Sequence, residues 1–330
     1  MFRQIVVPLD GSEQAEQALG AAAKIARHAN STVTLLQIVG ADAARGSDAV
    51  PVHTGNRLSA TEYLQRLRQR PELTGVSTDV AVRDGDPAGQ IVSVAEQSGA
   101  DLIILSHRRH GPAASFFAGS IADAVMRRSH IPVLVLHAGS VTEFRDRQTG
   151  ARRWPVQALV PLDGSPLVET AIPYALELLR TLEDEQGAKL HLTYVLNPKQ
   201  AYHSGITETE AMHEARTYLE AISARITADP AWHSMAVTSR VEPDAHVVMG
   251  IERVAEQGAN LRGDTFNFVA MATHGREGVA RWLAGSVTED LVHDVHVPVL
   301  IVHPHHEQTA GGSQRAGDEV VEQAPWIPLF

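Results

Sequence analysis

The sequence predicts an α/β protein made of two tandem, doubly wound open sandwich domains, each with a mostly parallel five-stranded sheet and related by a pseudo-two-fold. Three observations predict it. First, blocks of sequence return in the same order. Ile5–Ser12 (IVVPLDGS) comes back as Ala158–Ser165 (ALVPLDGS), Ala118-Gly119-Ser120 as Ala284-Gly285-Ser286, and His130–His137 as His296–His303. Ordered self-similarity of this kind marks a duplicated structural unit. Second, short apolar runs alternate with segments whose apolar residues recur every three to four positions, the pattern of strand, helix, strand. Third, the apolar runs are nearly continuous rather than alternating, as expected of parallel strands buried on both faces.

Taken in order, the first copy has strands expected near 4–10, 32–39, 77–84, 101–106 and 132–137, with helices near 12–29, 57–70, 87–98 and 119–129. The second has strands near 157–163, 189–196, 235–242, 267–273 and 297–302, with helices near 166–186, 207–228, 244–258 and 285–294. Ser12 and Ser165 are expected N-caps. Pro166 suits a first helical turn, whereas Pro173 should kink or interrupt its helix. Pro132 and Pro298 suit a strand start or edge. The domains are expected at 1–138 and 154–303. A polar linker, 139–153, joins them, and 304–330 is an aperiodic tail with an apolar end that either stays mobile or docks.

The chain has 330 residues, 44% of them hydrophobic, and a net charge of −11. That charge disfavours nucleic acid and anionic membrane as partners. The absence of cysteine excludes disulfides, thiol catalysis and Cys-based metal sites. No apolar run reaches transmembrane length and no signal-peptide pattern opens the chain, so a cytoplasmic location is expected. Histidine is abundant, 17 in all, but no metal-ligand spacing accompanies it, and no metal site is expected.

The chemistry concentrates in Phe268–Val302. An apolar strand runs into a glycine-containing loop, Thr273–Ala284, and Gly285-Ser286 then opens a helical pattern carried by Val287, Leu291, Val292 and Val295. Glycine lets backbone approach a ligand, and the free N–H groups of a helix start attract an anion. Asp163 ends the first strand of the same copy. Its carboxylate can accept from a ribose hydroxyl or an adenine amino group, or it can simply cap the following turn.

The spacing of Gly275, nine residues, then Gly285-Ser286 resembles the nucleotide-binding pattern of the universal stress proteins, as do His274-Gly275-Arg276 and the Val-Pro-Val-Leu strands. The resemblance implies strand order 3-2-1-4-5 in each copy, with a crevice between strands 1 and 4. It also implies an adenine nucleotide, most simply ATP, held in the second copy. The residues it points to are Pro161, Leu162, Asp163, Val195, Met271, Ala272, His274, Gly275, Gly285, Ser286, Val287 and Thr288. Mg²⁺ would arrive with the phosphates. Ala272 stands where the pattern has its first glycine, a departure that is harmless if φ there is negative.

The first copy departs further. Ser106 and Arg109 replace both loop glycines, although Asp10, Gly119 and Ser120 remain. A degenerate site is expected there. The resemblance further implies that the last strands pair the two copies with each other, with a homodimer of chains a further option. No nucleophile elbow, P-loop or dinucleotide glycine fingerprint is present. The expected function is a nucleotide-binding stress-response module without catalytic residues. The rival readings are a nucleotide-independent scaffold and a slow ATP hydrolase.

Overall fold

The computed structural model of the chain describes residues 1–40, 57–107, 121–137, 155–183, 186–199, 205–258, 266–273, 287–288, 291–292 and 295–303. The expected linker and tail lie outside the described residues, as does most of the second copy's glycine loop. Among the described residues, the first half contains β1 (Gln4–Pro8), α1 (Glu13–Glu16), α2 (Ala18–Ala29), β2 (Thr32–Val39), α3 (Arg57–Arg68), β3 (Ser77–Asp84), α4 (Pro87–Gln97), β4 (Leu102–His107), α5 (Ile121–Arg128) and β5 (Val133–His137). The second half contains β6 (Val156–Leu162), α6 (Pro166–Glu169), α7 (Ala171–Leu182), β7 (Ala188–Leu196), α8 (Glu208–Ala228), β8 (Ala236–Pro243), α9 (Val247–Gln257), β9 (Phe268–Ala272) and β10 (Val299–Val302). Residues 287–288 and 291–292 are also helical.

All ten strands form one sheet in the order β3-β2-β1-β4-β5-β10-β9-β6-β7-β8. Every pairing is parallel except the central one, where β5 and β10 run antiparallel. The inner parallel strands read as apolar runs because helices cover both faces, whereas most residues of the edge strands β3 and β8 are exposed or only partly buried. Two apolar layers result. One packs Ile5, Val7, Leu134, Val160, Leu176, Ala272 and Leu300 under α2 and α7; the other packs Val6, Ile103, Val135, Val254, Val269 and Ile301 on the opposite face. Both layers run through the two halves without interruption, so neither half closes its core alone.

Buried β5 and β10 also explain their prolines. Pro132 and Pro298 each immediately precede a strand, where a missing N–H costs no ladder bond, and their carbonyls accept from Ile103 N and Val269 N at 2.9 Å. At the end of β5, His137 is buried. Its Nδ1 lies 3.1 Å from the Val297 carbonyl oxygen and its Nε2 2.6 Å from that of Val292, both in the other half. Whichever nitrogen carries the proton therefore donates across the junction. In the first half, the carbonyl of Ile131, equivalent to that of Val297, instead accepts from the Ser129 hydroxyl at 2.7 Å.

The helices expected near 12–29 and 166–186 are each broken once, and the cause is not Pro173. The breaks fall at Gln17 and Thr170, whose N–H groups bond three residues back, to Gln14 and Leu167. The first half breaks at the same place with Gly20 where the second has Pro173, so the bend belongs to the fold. Pro173 sits in the first turn of α7, where its missing N–H and fixed φ are tolerated. Ser12 caps α1 by accepting from Ala15 N, whereas Ser165 occupies the cap position without a side-chain cap bond.

Candidate functional site

In each half the first and fourth strands are neighbours, but they pair over only two residues. Ala158–Leu159 pair with Phe268–Val269, and Ile5–Val6 pair with Leu102–Ile103. Beyond those positions no pairing joins them, and β6 continues to Leu162 while β9 continues to Ala272. The strands part toward their carboxyl ends. The connections of strand 1 and strand 4 leave in opposite senses there, the arrangement that makes a ligand crevice in open α/β sheets.

Asp163 stands at the head of that crevice and is exposed. Its Oδ1 accepts from Ser165 N at 2.8 Å, closing a tight turn through Gly164 at φ +89°. The turn engages one of the two carboxylate oxygens, Oδ1. The first half repeats the turn: Asp10 Oδ1 accepts from Ser12 N at 2.9 Å and from Ser12 Oγ at 2.5 Å, with Gly11 at φ +84°. A left-handed backbone at this position favours glycine, which is why the Asp-Gly-Ser sequence is repeated.

What distinguishes the two crevices is the short helix that follows. In the first half, Gln14 on α1 reaches across to β4, and its Nε2 donates to the His107 carbonyl at 2.8 Å. That bond bridges the ends of strands 1 and 4. The corresponding residue on α6 is Leu167, which has no donor to make it. Sequence comparison of the loops alone missed Gln14, although its pairing with Leu167 was available in the aligned repeats.

The remaining expected residues fall as follows. Pro161 and Leu162 lie in β6, and Leu162 is buried against the core. Val195 is the next-to-last residue of β7, with its side chain turned to α9: a Cβ added at Gly250 would lie 2.6 Å from Val195 Cγ1. Any part Val195 takes at the crevice therefore falls to its backbone. Met271 and Ala272 are buried β9 residues. Ala272 packs its methyl into the apolar layer and is not among the described non-glycine residues at positive φ, which are Phe2 and Asn30. No glycine is needed there. Val287 and Thr288 are helical, with Thr288 buried. His274, Gly275, Gly285 and Ser286 lie outside the described residues, as do Arg109, Gly119 and Ser120.

A second duplicated set surrounds the turn and was not anticipated. The Tyr63 hydroxyl donates to Glu16 Oε1 at 2.9 Å, and Arg70 pairs with Glu16. In the second half the Tyr218 hydroxyl donates to Glu169 Oε1 at 3.1 Å, and Arg225 pairs with Glu169. Each set ties the helix after strand 1 to the helix after strand 2, and so fixes the Asp turn between them. Burial, aided by the neighbouring glutamate, pushes both phenols well above the usual tyrosine range. Only the second half adds an aromatic ring at the end of its strand 2. Tyr194 packs edge-on to Tyr218, with ring centroids 6.2 Å apart and planes at 76°.

Among the described residues, no three His, Asp or Glu side chains gather as a metal set, and no helix is long and apolar enough to cross a membrane.

Comparison with known proteins agrees with this architecture. A model of the universal stress protein family matches the chain twice, over residues 1–137 and 157–303. A universal stress protein of Mycobacterium tuberculosis is 24% identical over 308 residues, covering 90% of this chain and 96% of that relative. One from Methanocaldococcus jannaschii is 28% identical over 140 residues, 41% of this chain and 82% of its own length. The crystal structure of a universal stress protein from Archaeoglobus fulgidus superposes with a TM-score of 0.62 at 19% identity, covering 92% of this chain and 99% of that one, a likeness of fold.

Proposed function

The chain belongs to the universal stress protein family, and from that premise we propose that its second half binds an adenine nucleotide, with ATP the favoured form, while its first half does not. The observation that carries this reading is the exposed Asp163 carboxylate at the carboxyl edge where β6 and β9 part. Asp163 would accept from the ribose or the base. The backbone at the end of β7 near Val195 and of β9 at Met271–Ala272 would line the base side. Gly275 and the Gly285-Ser286 helix start would take the phosphates. The residue types suit such a ligand: a carboxylate acceptor for sugar or base, and a loop whose sequence carries Gly275 and Gly278. Mg²⁺ would be carried by the phosphates.

In the first half, the Gln14 bridge to His107 occupies the corresponding gap. This supports one nucleotide per chain rather than two. The role proposed is binding, and slow hydrolysis is the rival reading.

The test is mass spectrometry of what the purified chain releases on mild denaturation, followed by calorimetry with added ATP. One adenine nucleotide per chain, or one calorimetric site abolished by Asp163→Ala and retained in Asp10→Ala, is the expected result. Two sites would overturn the assignment of the first half. No release and no binding would move the protein to the scaffold reading, and steady phosphate release lost in Asp163→Ala would move it to the hydrolase.

A further inference from the structure

Toward the amino ends of the second half's strands, away from the crevice, two polar side chains are buried together. Gln157, near the start of β6, is 0% exposed, and His191, in β7, is 2% exposed. Among the described residues, neither Oε1 nor Nε2 of Gln157 has a hydrogen-bond partner, and neither does Nε2 of His191. The other groups of the pair are engaged. His191 Nδ1 lies 2.8 Å from the Thr238 hydroxyl on β8, and Phe266 packs on the ring. The Gln157 N–H donates to Asn267 Oδ1 at 2.7 Å.

The two side chains share a face. Register sets Gln157 beside Lys189, and His191 is two residues further along the same face of β7. The first half shows how that spacing is used. Gln4 and Thr34 occupy the equivalent positions, and Gln4 Nε2 donates directly to Thr34 Oγ1 at 2.9 Å. With an imidazole in place of the threonine, no direct bond joins the pair. A buried polar atom left unmet is costly. Three on neighbouring side chains call for something that bridges them.

The chemistry of the surroundings selects what that is. Burial, followed by the charges of Arg240 and Lys189, lowers the His191 pKa to about 4, so the ring is neutral at pH 7. A neutral ring supplies no positive charge to hold a buried anion. The same two cations oppose a metal ion, and no trio of His, Asp or Glu gathers among the described residues. The Gln157 amide offers one donor group and one acceptor, and His191 Nε2 is one or the other according to its tautomer. The occupant that suits this set is small, neutral and able both to donate and to accept. Water is such a molecule, and two to four polar partners hold it in a protein interior.

We propose that the second half holds an internal water between the Gln157 side-chain amide and His191 Nε2, tying β6 to β7. The first half closes the same gap with its direct Gln4–Thr34 bond and needs none.

The experiment is a crystal structure of the full-length chain at a resolution that shows ordered solvent. Magnetic relaxation dispersion then counts long-lived waters in solution, for the wild type and Gln157→Met. The expected result is a solvent peak within about 2.7–3.2 Å of both the Gln157 amide and His191 Nε2, and one long-lived water fewer in Gln157→Met. A Gln157 amide turned directly onto His191 Nε2, with no peak between them, overturns the proposal. So does an unchanged water count in Gln157→Met. Anomalous scattering at the peak overturns the assignment as water and replaces it with a metal. If Gln157→Met does not fold, His191→Thr reads the same point. The direct bond of the first half should then form in the second and the count should fall by one, and an unchanged count overturns the proposal.

Discussion

Leu134 and Leu300, which occupy equivalent positions in the two halves, are partners of one another in the antiparallel β5–β10 ladder. The pseudo-two-fold axis passes through that pair. Val135 faces Val299 and Val133 faces Ile301, each pair being the symmetry image of the other. The junction is thus an isologous contact made inside one chain, with both leucines at 0% exposure.

Leu134→Ala and Leu300→Ala should therefore cost similar amounts, about 2–5 kcal/mol each, the usual range for a buried leucine. Because the two residues touch, the double variant should depart from additivity by about 0.5–3 kcal/mol. Urea unfolding of the two single variants and the double variant measures this. Strict additivity would mean that the halves hold their cores independently, contrary to the shared layers.

Gly250 offers a case where a helix-favouring change should hurt. Replacing glycine by alanine in a helix interior normally gains about 1 kcal/mol. Here the new Cβ would lie 2.6 Å from Val195 Cγ1, and overpacking of that kind costs about 1–3 kcal/mol. Gly250→Ala should lower the melting temperature, and adding Val195→Ala should restore most of it. A stabilised single variant would show that α9 shifts freely on the sheet.

His191 predicts acid sensitivity of the second half. Burial, followed by the charges of Arg240 and Lys189, lowers its pKa to about 4. Its Nδ1 meets the Thr238 hydroxyl at 2.8 Å, and its ring packs against Phe266. The folded state keeps the ring neutral while the unfolded chain takes a proton below about 6.5. The stabilisation is therefore complete above that pH and is lost as pH falls toward 4, by on the order of 3 kcal/mol. Denaturant unfolding between pH 7 and 4 should show this loss, and His191→Thr, the residue type of the equivalent Thr34, should flatten it. Equal slopes in the two proteins would remove His191 as the cause.

The paired tyrosine–glutamate–arginine sets predict alkaline behaviour. Tyr63 and Tyr218 keep their protons above the usual phenol range, so the stability they supply is present below about pH 10 and is lost as pH rises beyond it. Spectrophotometric titration should show late-ionising tyrosines, the latest of which are lost in the Tyr63→Phe/Tyr218→Phe double variant. Each single substitution should cost about 0.5–1.5 kcal/mol, the net worth of one hydrogen bond. Ionisation of every tyrosine at the ordinary pH would contradict the geometry of both sets.

Much of this molecule is legible in its sequence, for identifiable reasons. The strands at Gln4–Pro8 and Val156–Leu162 stand out because strands buried on both faces leave uninterrupted apolar runs, and the Asp-Gly-Ser that follows each is visible because the turn's left-handed residue favours glycine. The duplication is visible for the same reason: both halves solve one packing problem. The break at Gln17 and Thr170 was not legible, since it arises from how the helix seats on the sheet and not from Pro173. Ala272 read as a departure because a spacing pattern does not carry φ; in the strand its methyl is a core group.

The sequence by itself determined the elements, their order and the acidic turn at each first strand, because these follow from local periodicity and from backbone conformations only certain residues adopt. Only the tertiary structure decided that the two halves share one ten-stranded sheet through Leu134 and Leu300, that Gln14 bridges one crevice, and that Tyr194 packs edge-on against Tyr218. Those relations join residues far apart in the chain, and nothing in local spacing encodes which side chain reaches across a gap. That is set by where β5 meets β10 and by how far strands 1 and 4 part.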